Sequence, residues 1–218
     1  MFHLVFIVYQ NLSINNLLKN QTGKHILNSD NYPSLNLVHS KPKITLVKNF
    51  FDLISSRHSV RAFKNIPIPE DKINTIINAS TKGPSAGNLQ SYQIFIVSKI
   101  TEKEKLVESA HGQNYISDAP IVLIFCADPV RCNAEYSSKG EQLFSIQDAT
   151  IACVYSQLAA HNLGLSSVWI GSFDEEKVRD ILKLKNDLKP IAILPIGFPN
   201  ETPQITTRRP IDQIIHKI

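Results

Sequence analysis

Residues 73–98, INTIINASTKGPSAGNLQSYQIFIVS, hold the turn on which the reading of the fold depends. Within it Gly83-Pro84-Ser85-Ala86-Gly87 matches G-x-S-x-G, the pattern of a nucleophilic serine placed where a strand turns sharply into a helix. Such an elbow needs a strand before the serine and a helix after it, and the periodicity here runs the other way. Ile73, Ile76 and Ile77 recur at i, i+3, i+4, one face of a helix, whereas Ser91–Ser98 is rich in Ile, Phe and Val, the composition of a strand. A helix enters the turn and a strand leaves it. His161 and His216 lie far along the chain with nothing to place them beside Ser85, so a hydrolase has the motif without its context. The plain alternative is that Gly83, Pro84 and Gly87 end a helix and make a turn.

On either side of this turn the pattern extends. Residues 49–57 (NFFDLISSR) and 69–82 (PEDKINTIINASTK) read as helices. Thr101 with Glu104 forms a capping box that opens another helix. Residues 119–128 (APIVLIFCAD) are nearly all apolar, a strand buried on both faces. Residues 126–145, CADPVRCNAEYSSKGEQLFS, read as a loop, and a long helix over about Ser145–Asn162 stops at Gly164. LSSVWI, DEEKVRDILKL and KPIAILPIGF then read strand, helix, strand. Both element types occur without strict βαβ alternation, so the expected class is α+β.

A chain of 218 residues supports one well-buried core. Residues 1–48 lack clear periodicity and read as an N-terminal extension, a poorly ordered arm or the product of a mistaken start; the domain is 49–218. Met1–Phe51 carry five lysines against one acid, Asp30, so this segment accounts for the whole formal charge of +4. A nucleic-acid-binding domain would carry its basic excess as a patch on its fold, so such a partner is not expected. Cys126, Cys132 and Cys153 are odd in number and lack C-x-x-C spacing; they read as reduced cytoplasmic thiols. The histidines form no metal-binding pattern, no apolar run reaches membrane-spanning length, and MFHLVFIVY lacks the flanks of a signal peptide.

PSAGNLQSYQIFIV, taken with RHSVRAF at residues 57–63, DATIA at 148–152, LAAHNLGLSSVWIGSFDEEKV at 158–178 and RRPIDQIIH at 208–216, resembles the FMN-dependent nitroreductase family in motif order and spacing. The resemblance covers essentially residues 50–217. It implies a three-layer α+β fold, a central mixed or antiparallel sheet flanked by helices, in an intertwined homodimer with FMN at the interface. It also implies an oxidoreductase that takes electrons from NAD(P)H or a similar donor and passes them to a small acceptor by ping-pong. A flavin-fragmenting or reductive dehalogenase relative on the same fold, and a flavin-binding protein without turnover, are the alternatives. G-x-G-x-x-G after a strand is absent from the sequence, so no Rossmann site is expected, which is compatible with donor and acceptor using one flavin face in turn.

The same resemblance distributes the site. Arg57, His58 and Ser59, with Arg208 and Arg209 from the far end of the chain, fall at the cofactor's phosphate, a near-dianion that requires fixed cations. Each charge-assisted hydrogen bond contributes roughly 1.5–3 kcal/mol, a large share of the about 8 kcal/mol of micromolar binding. Arg61 falls near the pyrimidine edge of the ring, where a cation stabilises the anionic reduced form. Pro84, Ser85 and Ala86 flank the ring, commonly in the partner subunit, and Asn88 meets its polar edge with both a donor and an acceptor. Ile170, Gly171 and Ser172 align with a loop whose backbone N–H faces the ring, where glycine permits close approach. This chain departs from relatives at Gly171 (an acid in some), Thr206 (a lysine in some), Ser91 (usually Pro) and Tyr92 (usually Trp). Gln147 and Asp148 read as a polar pair opening the long helix, and Glu135, Tyr136 and Lys139 as candidates for a lid. Taken singly, each arginine also fits an ordinary surface position, and Asn88 an ordinary turn residue.

A chain that begins at Asn49 is expected to remain folded and to bind flavin, because every motif lies beyond that point. Gel filtration and flavin titration of the truncated protein check this; insoluble protein contradicts it.

Overall fold

The computed structural model describes residues 49–139, 143–185 and 187–218, without the side chains of Ala134 and Lys139. The extension expected at 1–48 and the side chain of Lys139 thus lie outside what is described. Chain order is α1 (Phe50–Ser56), α2 (Glu70–Ser80), β1 (Tyr92–Val97), α3 (Ile100–Ser109), the short α4 (Tyr115–Asp118) and β2 (Ile121–Ala127). It continues through α5 (Pro129–Lys139), α6 (Ser145–Asn162), β3 (Ser166–Ser167), α7 (Glu175–Leu182) and β4 (Lys189–Gly197). The four strands pair antiparallel in the order β1-β2-β4-β3. An isolated parallel bridge between Ser59 and Ser167 extends the sheet at its β3 edge. The class is α+β, as the sequence pattern implies.

Every residue of β2 is buried. Because side chains alternate across a strand, Ile121, Leu123 and Phe125 face one way and Val122, Ile124 and Cys126 the other. The first set packs with Ile76 of α2, Ala152 and Cys153 of α6 and Leu194 of β4. The second packs with Leu106 of α3, Val178 of α7 and Ile193 of β4. Alanines at 149, 152 and 160 bring the α6 backbone close to the sheet. At the other end of α6 the Lys72 ammonium donates to the Leu163 carbonyl at 2.8 Å, a cation where the helix dipole is negative.

Three local expectations need correction. Thr101 does not cap a helix: α3 starts a residue earlier, after Lys99, with no side-chain capping bond. The helix register that buries Leu106 also brings the Lys103 ammonium to the carbonyls of Ser117 (2.8 Å) and Ala119 (2.7 Å), and this sets the start. Nor is 126–145 a loop throughout. Pro129–Lys139 is helical apart from a break at Ser137 (φ 50°), with Asp128 accepting from Arg131 N–H at 3.1 Å and proline at the first helical position, an N-terminal signature independent of apolar periodicity. The strand expected over LSSVWI is limited to Ser166–Ser167 and an isolated bridge from Ile170 to Ile193. Among the described residues no helix is long and apolar enough to cross a membrane.

Phe63 and Pro120 close over Gly197 at the end of β4. A methyl group added at Gly197 would lie 2.8 Å from Pro120 Cδ and 2.9 Å from Phe63 Cδ1. Gly197→Ala is therefore expected to lose about 1–3 kcal/mol of stability by overpacking, measured by urea denaturation.

Candidate functional site

The segment after α1 lies along the chain that leaves β4. Val60 N–H donates to Ser167 O at 3.2 Å, Lys64 N–H to Phe198 O at 2.9 Å, and Asn200 N–H to Ala62 O at 2.9 Å. This docking brings the two ends of the domain together around a cavity of about 520 Å³, lined by Arg57, His58, Ser59 and Arg61 from one end and Thr206 and Arg208 from the other. Burial lowers the pKa of the half-buried Arg57, and the like charge of Arg208 lowers it further. Among the described residues no carboxylate lies within ion-pair distance of Arg57, Arg61 or Arg208. Two guanidiniums that repel one another in a polar cavity form a site for an anion.

Thr206 stands where some relatives are expected to carry lysine, and it orients the pocket's cation instead: Arg208 Nη1 donates to Thr206 Oγ1 at 2.9 Å. Arg209 lies apart, donating to the Gln213 carbonyl, and does not line the cavity. Glu201 lines it and accepts from the backbone N–H of Arg61, a contact that sequence reasoning missed because an exposed acid carries no distinguishing pattern.

The GPSAG turn forms a second cavity of about 590 Å³, bordered by Pro84, Ser85 and Ala86 with Phe144, Gln147, Asp148 and Ile151. It shares no lining residue with the first. Gly87, Asn88 and Gln90 have left-handed backbones, with φ of 54°, 57° and 53°. A side chain at Gly87 would collide with the Tyr136 hydroxyl, so a residue expected in a lid sits on this turn. The Tyr136 ring meets Phe144 edge-on at 5.2 Å. Glu135 is exposed.

Ser85 is not arranged as a nucleophile. Its turn is preceded by α2 and followed by β1, and its Oγ accepts from Gln90 N–H at 3.1 Å. His161 is engaged elsewhere, with Nε2 2.9 Å from Ser56 Oγ. Asn88 is exposed at the turn's tip, where its Oδ1 accepts from Gln90 Nε2 at 3.3 Å. Asp148 does more than open a helix. It is 2% exposed, and its two oxygens accept from Ala86 N–H (2.9 Å) and Ser91 N–H (3.1 Å). Tyr92, following Ser91, has its pKa raised by burial and by the Asp148 charge, against its hydrogen bond to Ser80 O.

Ile170 is buried, and its N–H and C=O are both taken by Ile193 at 3.0 Å, so the exposed residues of that loop are Gly171 and Ser172, which border neither cavity. A third cavity of about 640 Å³, between α5, α6 and α7, has the mixed charges Glu175, Arg179, Asp187 and Lys189 and none of the expected site residues. Burial pushes the Cys126 thiol up to about 12, with Arg179 opposing, and raises that of Cys153 as well; neither is poised as a thiolate. Among the described residues no cluster of His, Cys, Asp and Glu could hold a metal.

The sequence profile of the nitroreductase family matches residues 54–128 and 112–198. The chain belongs to the nitroreductase family. A Methanothermobacter thermautotrophicus relative, provisionally named NADH dehydrogenase/NAD(P)H nitroreductase, is 30% identical over 172 residues, 76% of this chain and 85% of the relative. The solved structure of NfrA2 from B. megaterium superimposes with a TM-score of 0.72 at 28% identity, covering 77% of this chain and 73% of the other. The NADPH:FMN oxidoreductase of Vibrio harveyi, solved with NAD+, gives 0.71 at 26% identity over 77% and 76% of the two chains. The fold of this nitroreductase-family chain is thus the fold of the family's oxidoreductases.

Ser85→Ala removes one hydroxyl from the turn and is expected to weaken ligand binding only several-fold, about one net hydrogen bond, with activity retained at saturating ligand. Loss of turnover by orders of magnitude, with labelling of Ser85 by a serine-directed phosphonate, contradicts this.

Proposed function

We propose that this protein is an FMN-dependent oxidoreductase of nitroreductase type, which takes electrons from NAD(P)H or a similar donor and delivers them to a small acceptor by a ping-pong cycle. The observation that carries the reading is the convergence of Arg57 and Arg208, from opposite ends of the domain, on one polar cavity in which neither has a carboxylate within ion-pair distance among the described residues. A phosphate monoester fits that donor set. Ser59 and Thr206 add hydroxyls, and the guanidiniums supply paired N–H donors matched to phosphate oxygens. In this reading Arg57, His58, Ser59 and Arg208 hold the phosphate. Arg209 lies beyond them as a reserve cation, and Arg61 places positive charge towards the ring. Pro84, Ser85, Ala86 and Asn88 flank the ring, and the backbone around Ile170 and Gly171 approaches it. When bound, FMN supplies the two-electron exchange; the protein binds, orients and electrostatically tunes it.

The two cavities support a homodimer in which the turn of one protomer completes the cation pocket of its partner, since Arg57, Arg61 and Arg208 line one cavity and Pro84, Ser85 and Ala86 another with no common wall. Apolar side chains left in water on the single chain supply a surface for such an assembly: Phe50 (61% exposed), Phe51 (74%), Ile205 (86%) and Ile211 (72%). The named donors of the Methanothermobacter and Vibrio proteins support NAD(P)H as electron source. The balanced charge of residues 52–218 argues against a nucleic-acid partner, and the unpaired, buried thiols fit a cytoplasmic location.

The test compares FMN with riboflavin, which lacks the phosphate. Arg57→Ala and Arg208→Ala are each expected to weaken FMN roughly 10- to 100-fold while changing riboflavin little. Arg61→Ala is expected to lower the flavin's reduction potential instead. Protein that purifies colourless and takes up neither flavin overturns the reading, and equal losses for both flavins in all three variants overturn the division of roles.

A further inference from the structure

The GPSAG turn holds its shape against local preference. Asn88 and Gln90 adopt the left-handed conformation, in which an L side chain crowds its own carbonyl. The bonds inside the turn are Asn88 N–H to Ser85 O (3.0 Å), Leu89 N–H to Ala86 O (2.9 Å) and Gln90 N–H to Ser85 Oγ (3.1 Å). All are local, so they form and break with the turn. From outside it, Arg131 of α5 donates through Nε to the Leu89 carbonyl, and Asp148 reaches both ends of the turn from α6, a helix packed on the central sheet. One oxygen holds Ala86 near the start of the turn and the other holds Ser91 just past its end.

Helix opening does not account for Asp148. The residue flanking α6 at its N-terminus is Phe144, and both recorded bonds of the Asp148 carboxylate go to the turn rather than to amides of its own helix. At 2% exposure water offers little substitute, so losing the carboxylate leaves two amide donors to find new partners. Ser91 is wholly buried, and its hydroxyl has no partner among the described residues, so the N–H is its polar tie to α6. Ser91 O in turn accepts from Asp128 N–H at 3.0 Å, which joins the start of α5 to the same anchor.

We propose that Asp148 is a positioning residue: by holding the amides of Ala86 and Ser91 at once, it sets the turn that presents Ser85 and Asn88 to the cofactor, an inference that rests on the flavin reading above. It borders the cavity beside the turn and does not line the phosphate pocket. Its effect is on how well the ring is received.

The experiment uses the full chain with Asp148→Ala and Asp148→Asn. Amide hydrogen exchange of the cofactor-free proteins is read separately over residues 84–91 and over β2, and affinities for FMN and riboflavin are read by fluorescence quenching. In Asp148→Ala, exchange is expected to accelerate in 84–91 with β2 unchanged, and both flavins to weaken by the same factor, roughly ten-fold or more, so that the FMN-to-riboflavin ratio is preserved. Asp148→Asn keeps one acceptor oxygen and is expected to fall between alanine and wild type. It decides the matter if the alanine variant does not fold. Wild-type affinities in both variants, unchanged exchange in 84–91, or exchange that rises equally in β2 each overturn the proposal. Wild-type protein that takes up neither flavin refutes the flavin reading and with it the cofactor half of this inference, and the exchange data then judge the hold on the turn by themselves.

Discussion

The burial of β2 on both faces is the constraint from which the rest of the structure follows. A strand with no polar face cannot lie at a surface, so each side needs a helical layer. α6 and α2 cover one side, and α3 and α7 the other. The partners within the sheet are also determined: β2 pairs with β1 and β4, and both pairings are antiparallel. α6, with alanines against the strands, is consequently held close and firmly, and whatever its first turn grips is held firmly too.

The candidate site is built on what this frame leaves at its margins. At one margin, the opening segment of the domain docks on the chain beyond β4 and the arginines meet. At the other, the connection from α2 to β1 crosses the start of α6, and a buried carboxylate there takes two of its backbone N–H groups. Neither cluster contributes to the core. Both are tied by short polar contacts to elements that do.

Elements were legible in the sequence where burial wrote a period into it. The unbroken apolar run Ile121–Ala127 and the Ile73-Ile76-Ile77 face have one explanation each, and the direction helix-turn-strand around Ser85 was enough to set aside the nucleophile. α5 was missed because Arg131, Asn133, Glu135 and Ser137 interrupt its apolar pattern; its signal was the Asp128-Pro129 start. Arg57 and Arg208, which line one cavity, stand out in the sequence only through the order of motifs, since by charge alone they resemble any surface arginine. The role of Asp148 was not legible. Its partners are backbone amides 62 and 57 positions away, and every non-proline residue has such an amide, so no side-chain pattern points to them.

Arg57 stands near the start of the described chain and Arg208 near its end, with the whole sheet encoded between them. On the ribosome, β1, β2 and the helices that cover them are made before the last cation exists. A nascent chain can therefore collapse around its central strand while still lacking a complete anion pocket. The pocket closes only when the segment that carries Arg208 is laid beside the one that carries Arg57, so a chain cut short after β4 keeps its core residues but loses Arg208 from the cavity.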